Sequence, residues 1–291
     1  MPKLIRQVSR YRVDGASASP PRVQGGADDA PERGRTPDAP ANSERSRASG
    51  ADTHEAPGGA LGEALWVSAD VTVAVAFIAM GLPAQWHTTL VGFAFLAVTW
   101  ALVWRSDDDR VRRAGLALGG LVLPGHLPLR SIARSAASSL AWGLGLLSIV
   151  SVPFFFGWRA WWAHAAPSEL SFSLAVRPLD ALNEIAGQLF VIALPEEAFY
   201  RGYLQSRLDD VWPPRWRVLG ATVGPGLLGA SAIFALGHVA TVHLPTRLAV
   251  FFPALAFGWL RARTGGIGAS VCFHMACNVY SQALGRGYGL Y

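Results

Sequence analysis

Two adjacent glutamates, Glu196 and Glu197, stand inside an apolar stretch that reads Leu194-Pro195-Glu196-Glu197-Ala198-Phe199-Tyr200-Arg201. Carboxylates in such surroundings are costly, and within a membrane they mark function or a charge partner. Neighbouring residues on a helix point about 100° apart, so the two are not expected to do the same job. Glu197 and Arg201 are spaced i,i+4 and are expected to form an ion pair on one face. That pairing leaves Glu196 as the free carboxylate, able to take a proton from water as a general base. The competing reading, in which both glutamates only brace neighbouring helices, leaves an unpaired buried charge unexplained.

Two further groups carry neutral chemistry. Phe234-Ala235-Leu236-Gly237-His238 ends in a histidine, and the i,i+4 spacing lets Phe234 wall the same cavity. His274-Met275-Ala276-Cys277-Asn278 stacks an imidazole and a carboxamide on one helix face. Both donate hydrogen bonds while uncharged, which suits an oxyanion site without burying another full charge. A polar clasp between helices would explain either residue alone. Three such groups on three helices, each with a different part, are harder to explain as packing.

Other chemistries fit less well. His54-Glu55 lacks the second histidine that would complete a zinc-protease helix motif. No cofactor is expected; two histidines and a glutamate on separate helices would be needed for zinc, the alternative. Gly229-Ala230-Ser231-Ala232-Ile233 begins like a nucleophile elbow but lacks its final glycine.

The elements that must hold these residues are membrane helices. The chain is 51% hydrophobic and 15% charged, against about 25% charged in a soluble chain. Charge is concentrated in the first sixty residues and in a few short loops. Apolar runs cover about 64–82, 86–104, 136–158, 181–205, 226–244, 247–262 and 265–284, several near the roughly 20 residues that span a bilayer. The fold class is therefore all-α: a polytopic bundle of seven spans, or eight if Ala114 to Leu129 crosses rather than lying at the interface. The runs are continuous rather than alternating, which excludes a barrel. A fifth span starting near Arg217 would set His238 about 17 Å from the depth of Glu196 at 1.5 Å per residue. Starting it at Gly226 brings the two level. Leu208 to Gly226 reads as an interfacial loop, with His243 in the loop after the fifth span.

Residues 1–60, rich in Ser, Pro, Gly, Ala, Asp and Arg, are expected to form a disordered cytoplasmic tail. Residues 61–291 form the membrane domain, with its polar core at about 181–284. Cys272 and Cys277, five apart on one helix, are expected to be free. Arginines after the second, fourth and sixth spans put the N-terminus in the cytoplasm and the C-terminus outside. They are scattered over loops rather than gathered in a footprint, so the net charge of +5 does not point to nucleic acid.

Glu-Glu-x-x-x-Arg, then Phe-x-x-x-His, then His-x-x-x-Asn, in this order and each in a membrane helix, resembles the signature of the CAAX protease and bacteriocin-processing family. That family includes prenyl-protein endopeptidases and bacterial abortive-infection proteins, and the resemblance covers about residues 181–284. It implies an intramembrane endopeptidase of glutamic type in a bacterial inner membrane. Glu196 would activate water, His238 would hold or relay its proton, and His274 with Asn278 would form the oxyanion site. Glu197, Arg201 and Phe234 would support them. The implied substrate is a membrane-anchored or hydrophobic protein, cut in or near a hydrophobic, prenylated or sorting-signal C-terminal segment. The tail-bearing, Ala/Arg/Gly-rich chain is compatible with the myxosortase-like bacterial branch. Two other functions compete: a non-catalytic scaffold or immunity protein using the same cluster to bind a partner, and a transporter. The transporter reading expects internal repeats, and none is visible.

Overall fold

A computed structural model describes residues 57–163 and 172–289. The expected disordered tail therefore lies, but for its last few residues, outside the described residues. Helix α1, Pro57–Gly81, begins before the expected boundary at residue 61. Pro83 separates it from α2, Ala84–Thr99, which runs on into a π-helical turn, Trp100–Trp104. A short helix, α3, Asp108–Arg113, is capped by the Asp107 carboxylate, which accepts the Arg110 N–H at 2.8 Å. That hydrogen bond holds the Asp107 carboxyl below its ordinary value.

The run from Ala114 to Leu129 makes no crossing. It folds into turns around a 3-10 segment, Leu118–Gly120, so the eighth span does not form. Positive φ at Gly115, Gly119, Gly120 and Gly125 is the physical reason, because these turns break helical continuity. The long helix α4, Leu129–Ala163, follows with Pro153 inside it. It starts earlier than the apolar run because its first turns carry Arg130 and Arg134, which hydropathy discounts.

Helix α5 spans 178–211 and is wound in five pieces that share helical dihedrals at every junction. Gln188–Ala193 and Ala198–Leu204 are π-helical, flanking the single α-helical turn Leu194–Glu197. Pro195 has no N–H to give the carbonyl of Val191, and the wider winding before it accommodates that gap. Gly92 of α2 lies against the same carbonyl, where a Cβ would stand 2.5 Å from the oxygen.

A small antiparallel hairpin, β1 Trp216–Val218 with β2 Ala221–Val223, occupies part of the expected interfacial loop. It is a departure from a purely helical chain, turned by Leu219 and Gly220 at positive φ. Helix α6, Pro225–Val242, begins one residue from the expected start and ends on His243 in the left-handed region. After the 3-10 segment Pro245–Val250 come α7, Phe251–Thr264, and α8, Gly268–Gly287.

Among the described residues, four helical stretches are both long and apolar enough to cross a membrane: Gly58–Gly81, Ala84–Trp104, Leu129–Ala160 and Pro225–Val242. Helices α5, α7 and α8 sit where spans were expected but fall short for physical reasons. Helix α7 has 14 residues, about 21 Å at 1.5 Å each. Helices α5 and α8 carry the polar residues of interest. Large side chains such as Trp66, Phe77, Ile149 and Phe252 face outward, as lipid-facing positions do, while the Ala198–Leu204 turn of α5 is wholly buried.

Close approach fixes the bundle around α5. Gly143 of α4 lets α8 in, since a Cβ there would meet the Cys272 Cβ at 2.8 Å and the Phe273 nitrogen at 2.9 Å. Glu63 of α1 receives the Tyr203 hydroxyl at 3.1 Å and pairs with Arg207. Both cysteines are free.

Candidate active site

The paired charge forms inside the bundle. Arg201 Nε donates to Glu197 Oε2 at 3.3 Å, and both side chains are fully buried. The rest of the guanidinium lies over aromatic faces, 5.3 Å from the Phe234 centroid and 5.8 Å from that of Phe257. Its two terminal nitrogens have no hydrogen-bond partner among the described residues, so cation–π attraction supplies much of what holds the charge.

Glu197 does a second thing that spacing did not show. Its other oxygen, Oε1, lies 3.0 Å from His274 Nδ1, on a helix 77 residues away in sequence. The opposite ring nitrogen, Nε2, lies 3.8 Å from Glu196 Oε2. His274 therefore stands between the two glutamates. Its ring stacks on Phe257 at 4.6 Å and 14°, which fixes its plane. With Nδ1–H directed to a carboxylate, neutral His274 has its lone pair at Nε2, facing Glu196. In that state it has no hydrogen to offer an oxyanion.

His238 is anchored by its own helix. Its Nδ1 lies 3.0 Å from the Phe234 carbonyl, an acceptor, so Nδ1 carries the proton and Nε2 the lone pair. The ring also packs on Phe234 at 4.4 Å. Asn278 donates through Nδ2 to Gln188 Oε1 at 2.9 Å, leaving its second hydrogen uncommitted.

These side chains converge. Glu196, His238, His274 and Asn278 all line one cavity of about 1170 Å³. Glu196 and His238 also line a neighbouring cavity of about 640 Å³ between α1, α2, α5 and α6, so they stand where the two spaces adjoin. The Glu196 Oε2 atom is buried without a hydrogen-bond partner among the described residues. Ser231 is wholly buried in the middle of α6 rather than on a sharp turn. Among the described residues, no group of three or more His, Cys, Asp or Glu is arranged to hold a metal ion.

The family model described as Type II CAAX prenyl endopeptidase Rce1-like matches residues 178–280. This segment is Rce1-like. The match runs from the first residue of α5 into α8 and includes Glu196, Glu197, Arg201, Phe234, His238, His274 and Asn278. The match covers about a third of the chain, and what it shows is a likeness of this segment to that family. Comparison with curated proteins and with solved structures gives no match.

Within the Rce1-like segment, sequence reasoning missed Gln188, Phe257 and Tyr200. Gln188 carried the same signal as the glutamates, a polar residue in an apolar run (Gly187-Gln188-Leu189-Phe190-Val191). Phe257 carried none, since its stacking on His274 depends on how α7 meets α8. Tyr200 lines the smaller cavity, and its hydroxyl lies 3.0 Å from where a Cβ on Gly237 would stand.

Proposed function

We propose that the chain is an intramembrane endopeptidase of glutamic type. It would hydrolyse a peptide bond in or near a hydrophobic, prenylated or sorting-signal C-terminal segment of a membrane-anchored protein. The observation that carries this reading is the convergence of Glu196, His238, His274 and Asn278, from three helices, on one cavity inside the Rce1-like segment.

The geometry supports a division of labour. Glu196, with an unengaged oxygen, takes a proton from water as the water attacks the substrate carbonyl. His238 Nε2, held as an acceptor, orients that water from the other side. The proton held on Glu196 passes to His274 Nε2, and the ring then donates at both nitrogens until the C–N bond breaks, when the Nε2 proton moves to the leaving amine nitrogen and the new carboxyl is released. His274 thus joins the Asn278 amide at the oxyanion only after this first transfer. Glu197 and Arg201 position His274 rather than touch substrate. No metal takes part in this scheme. The same cluster used as a partner-binding site is the second reading, favoured by nothing in the geometry.

The test is cleavage of a co-expressed candidate substrate in membranes, comparing wild type with Glu196→Gln and Glu196→Ala. A lost general base lowers turnover by about 100-fold or more, with protein amount unchanged for the isosteric Gln variant. Full cleavage by Glu196→Gln would overturn the mechanism. Cleavage should also survive strong chelation; loss on chelation with rescue by zinc would replace it with the zinc reading.

A further inference from the structure

A different cavity, about 370 Å³, lies near the other end of α4, where the Leu118–Gly120 turn, the first turns of α4 and the α7–α8 connection meet. Arg112 and Arg134 line it, and none of the described residues lining it is acidic. Neither guanidinium has a hydrogen bond or ion pair with a described residue. Arginines nearby are committed: Arg261 to Asp209 and Ser206, Arg207 to Glu63.

The hydroxyls repeat the pattern. Ser131, Ser135, Ser138 and Ser139 recur at helical spacing on one face of α4 and line the cavity. None of these four hydroxyls bonds to a described residue. Further along the same helix, Ser148 and Ser151 turn theirs back to the carbonyls of Gly145 and Ser148. Gly268, the first residue of the 20-residue α8, also lines the space. The first N–H groups of a helix have no intrahelical partner and favour an anion.

We propose that this cavity binds a phosphate group. Two guanidinium forks match phosphate oxygens bidentately, and uncommitted hydroxyl and backbone donors complete the shell. The phosphate comes from an anionic phospholipid headgroup or from a soluble phosphate. Leu121, Leu127, Leu129 and Leu140 are exposed and near in sequence to the lining residues Gly119, Ser131 and Ser139; they would offer acyl chains an apolar surface, which favours the lipid. An occupant here would brace the start of the helix that carries His274 six residues on. The inference is independent of the protease reading, because no residue of this cavity lines the candidate active site.

Thermal unfolding of the full chain in neutral detergent tests it, with phosphatidylglycerol, phosphatidylcholine or inorganic phosphate added at matched ionic strength. Phosphatidylglycerol, and not phosphatidylcholine, should raise the midpoint. The apparent affinity should fall about tenfold or more in Arg112→Gln/Arg134→Gln. The control pair Arg130→Gln/Arg217→Gln removes the same charge outside the cavity and should keep wild-type affinity. If the arginine pair does not fold, Ser135→Ala/Ser138→Ala should weaken the same response. A response to inorganic phosphate alone supports the site with a soluble source. No shift with either probe, or an equal shift in the Arg112→Gln/Arg134→Gln protein and its control, overturns the proposal.

Discussion

Arg201 is wholly enclosed, and its charge is met by one carboxylate and two aromatic faces. A buried pair of this kind gains little over an apolar substitute, but removing one partner strands the other charge. Arg201→Ala is therefore expected to destabilise the protein by about 3–5 kcal/mol, read as a lower unfolding midpoint in detergent. Glu197→Ala/Arg201→Ala should recover part of that loss, since neither charge is left alone. If the double variant falls by the sum of the two single changes, the pair is not what holds the site. The pairing itself was legible from i,i+4 spacing. The link from Glu197 to His274 was not, because it joins positions 77 residues apart, and no local pattern encodes how α8 meets α5.

At the scale of elements, apolar run length located the helices, with α6 starting where the depth of His238 required it. What hydropathy could not show was winding. The π turns on either side of Leu194–Glu197 follow from Pro195 and from packing against Gly92, and neither is a matter of composition. The hairpin escaped for a similar reason: Trp216–Val218 and Ala221–Val223 are too short for a period to register. The end of α5 offers a test of how helices meet beyond the spans. Asp209 lies 3.7 Å from Arg261 of α7 and has a buried oxygen without a hydrogen-bond partner among the described residues. Burial outweighs the arginine and raises its carboxyl from 3.8 to about 6. A carboxyl raised on folding contributes stability that is fully present below its unfolded value and is lost as pH rises through the folded one. Wild type should therefore lose on the order of 1–3 kcal/mol between pH 4 and pH 7 from this group. Asp209→Asn should flatten that slope in unfolding midpoints taken across the range. An unchanged slope would mean that the Arg261 contact, not burial, sets the charge of Asp209.

For the whole molecule, charge is distributed unequally between the two ends of the bundle. Arg105, Arg110, Arg112, Arg113, Arg130 and Arg134 lie between α2 and the first turns of α4. The opposite end has Arg177, paired with Asp180, Arg286, paired with Glu184, and also Arg159 and Arg247. Membrane orientation follows such excesses, the richer side being cytoplasmic. The larger cavity is lined by Trp158, Trp162, Arg247 and Arg286, residues from the arginine-poor end. On this distribution the arginine-rich end is expected in the cytoplasm, and the proposed active site is then expected to open away from it, on a substrate segment presented from outside. Single cysteines in a Cys272→Ala/Cys277→Ala background decide this. A membrane-impermeant maleimide should label Arg177→Cys in intact cells and Arg130→Cys only after lysis. The reverse pattern would turn the bundle over and place the cavity mouth on the cytoplasmic face. Every residue of the proposed chemistry would stay where it is, but the substrate would have to be a protein reached before export.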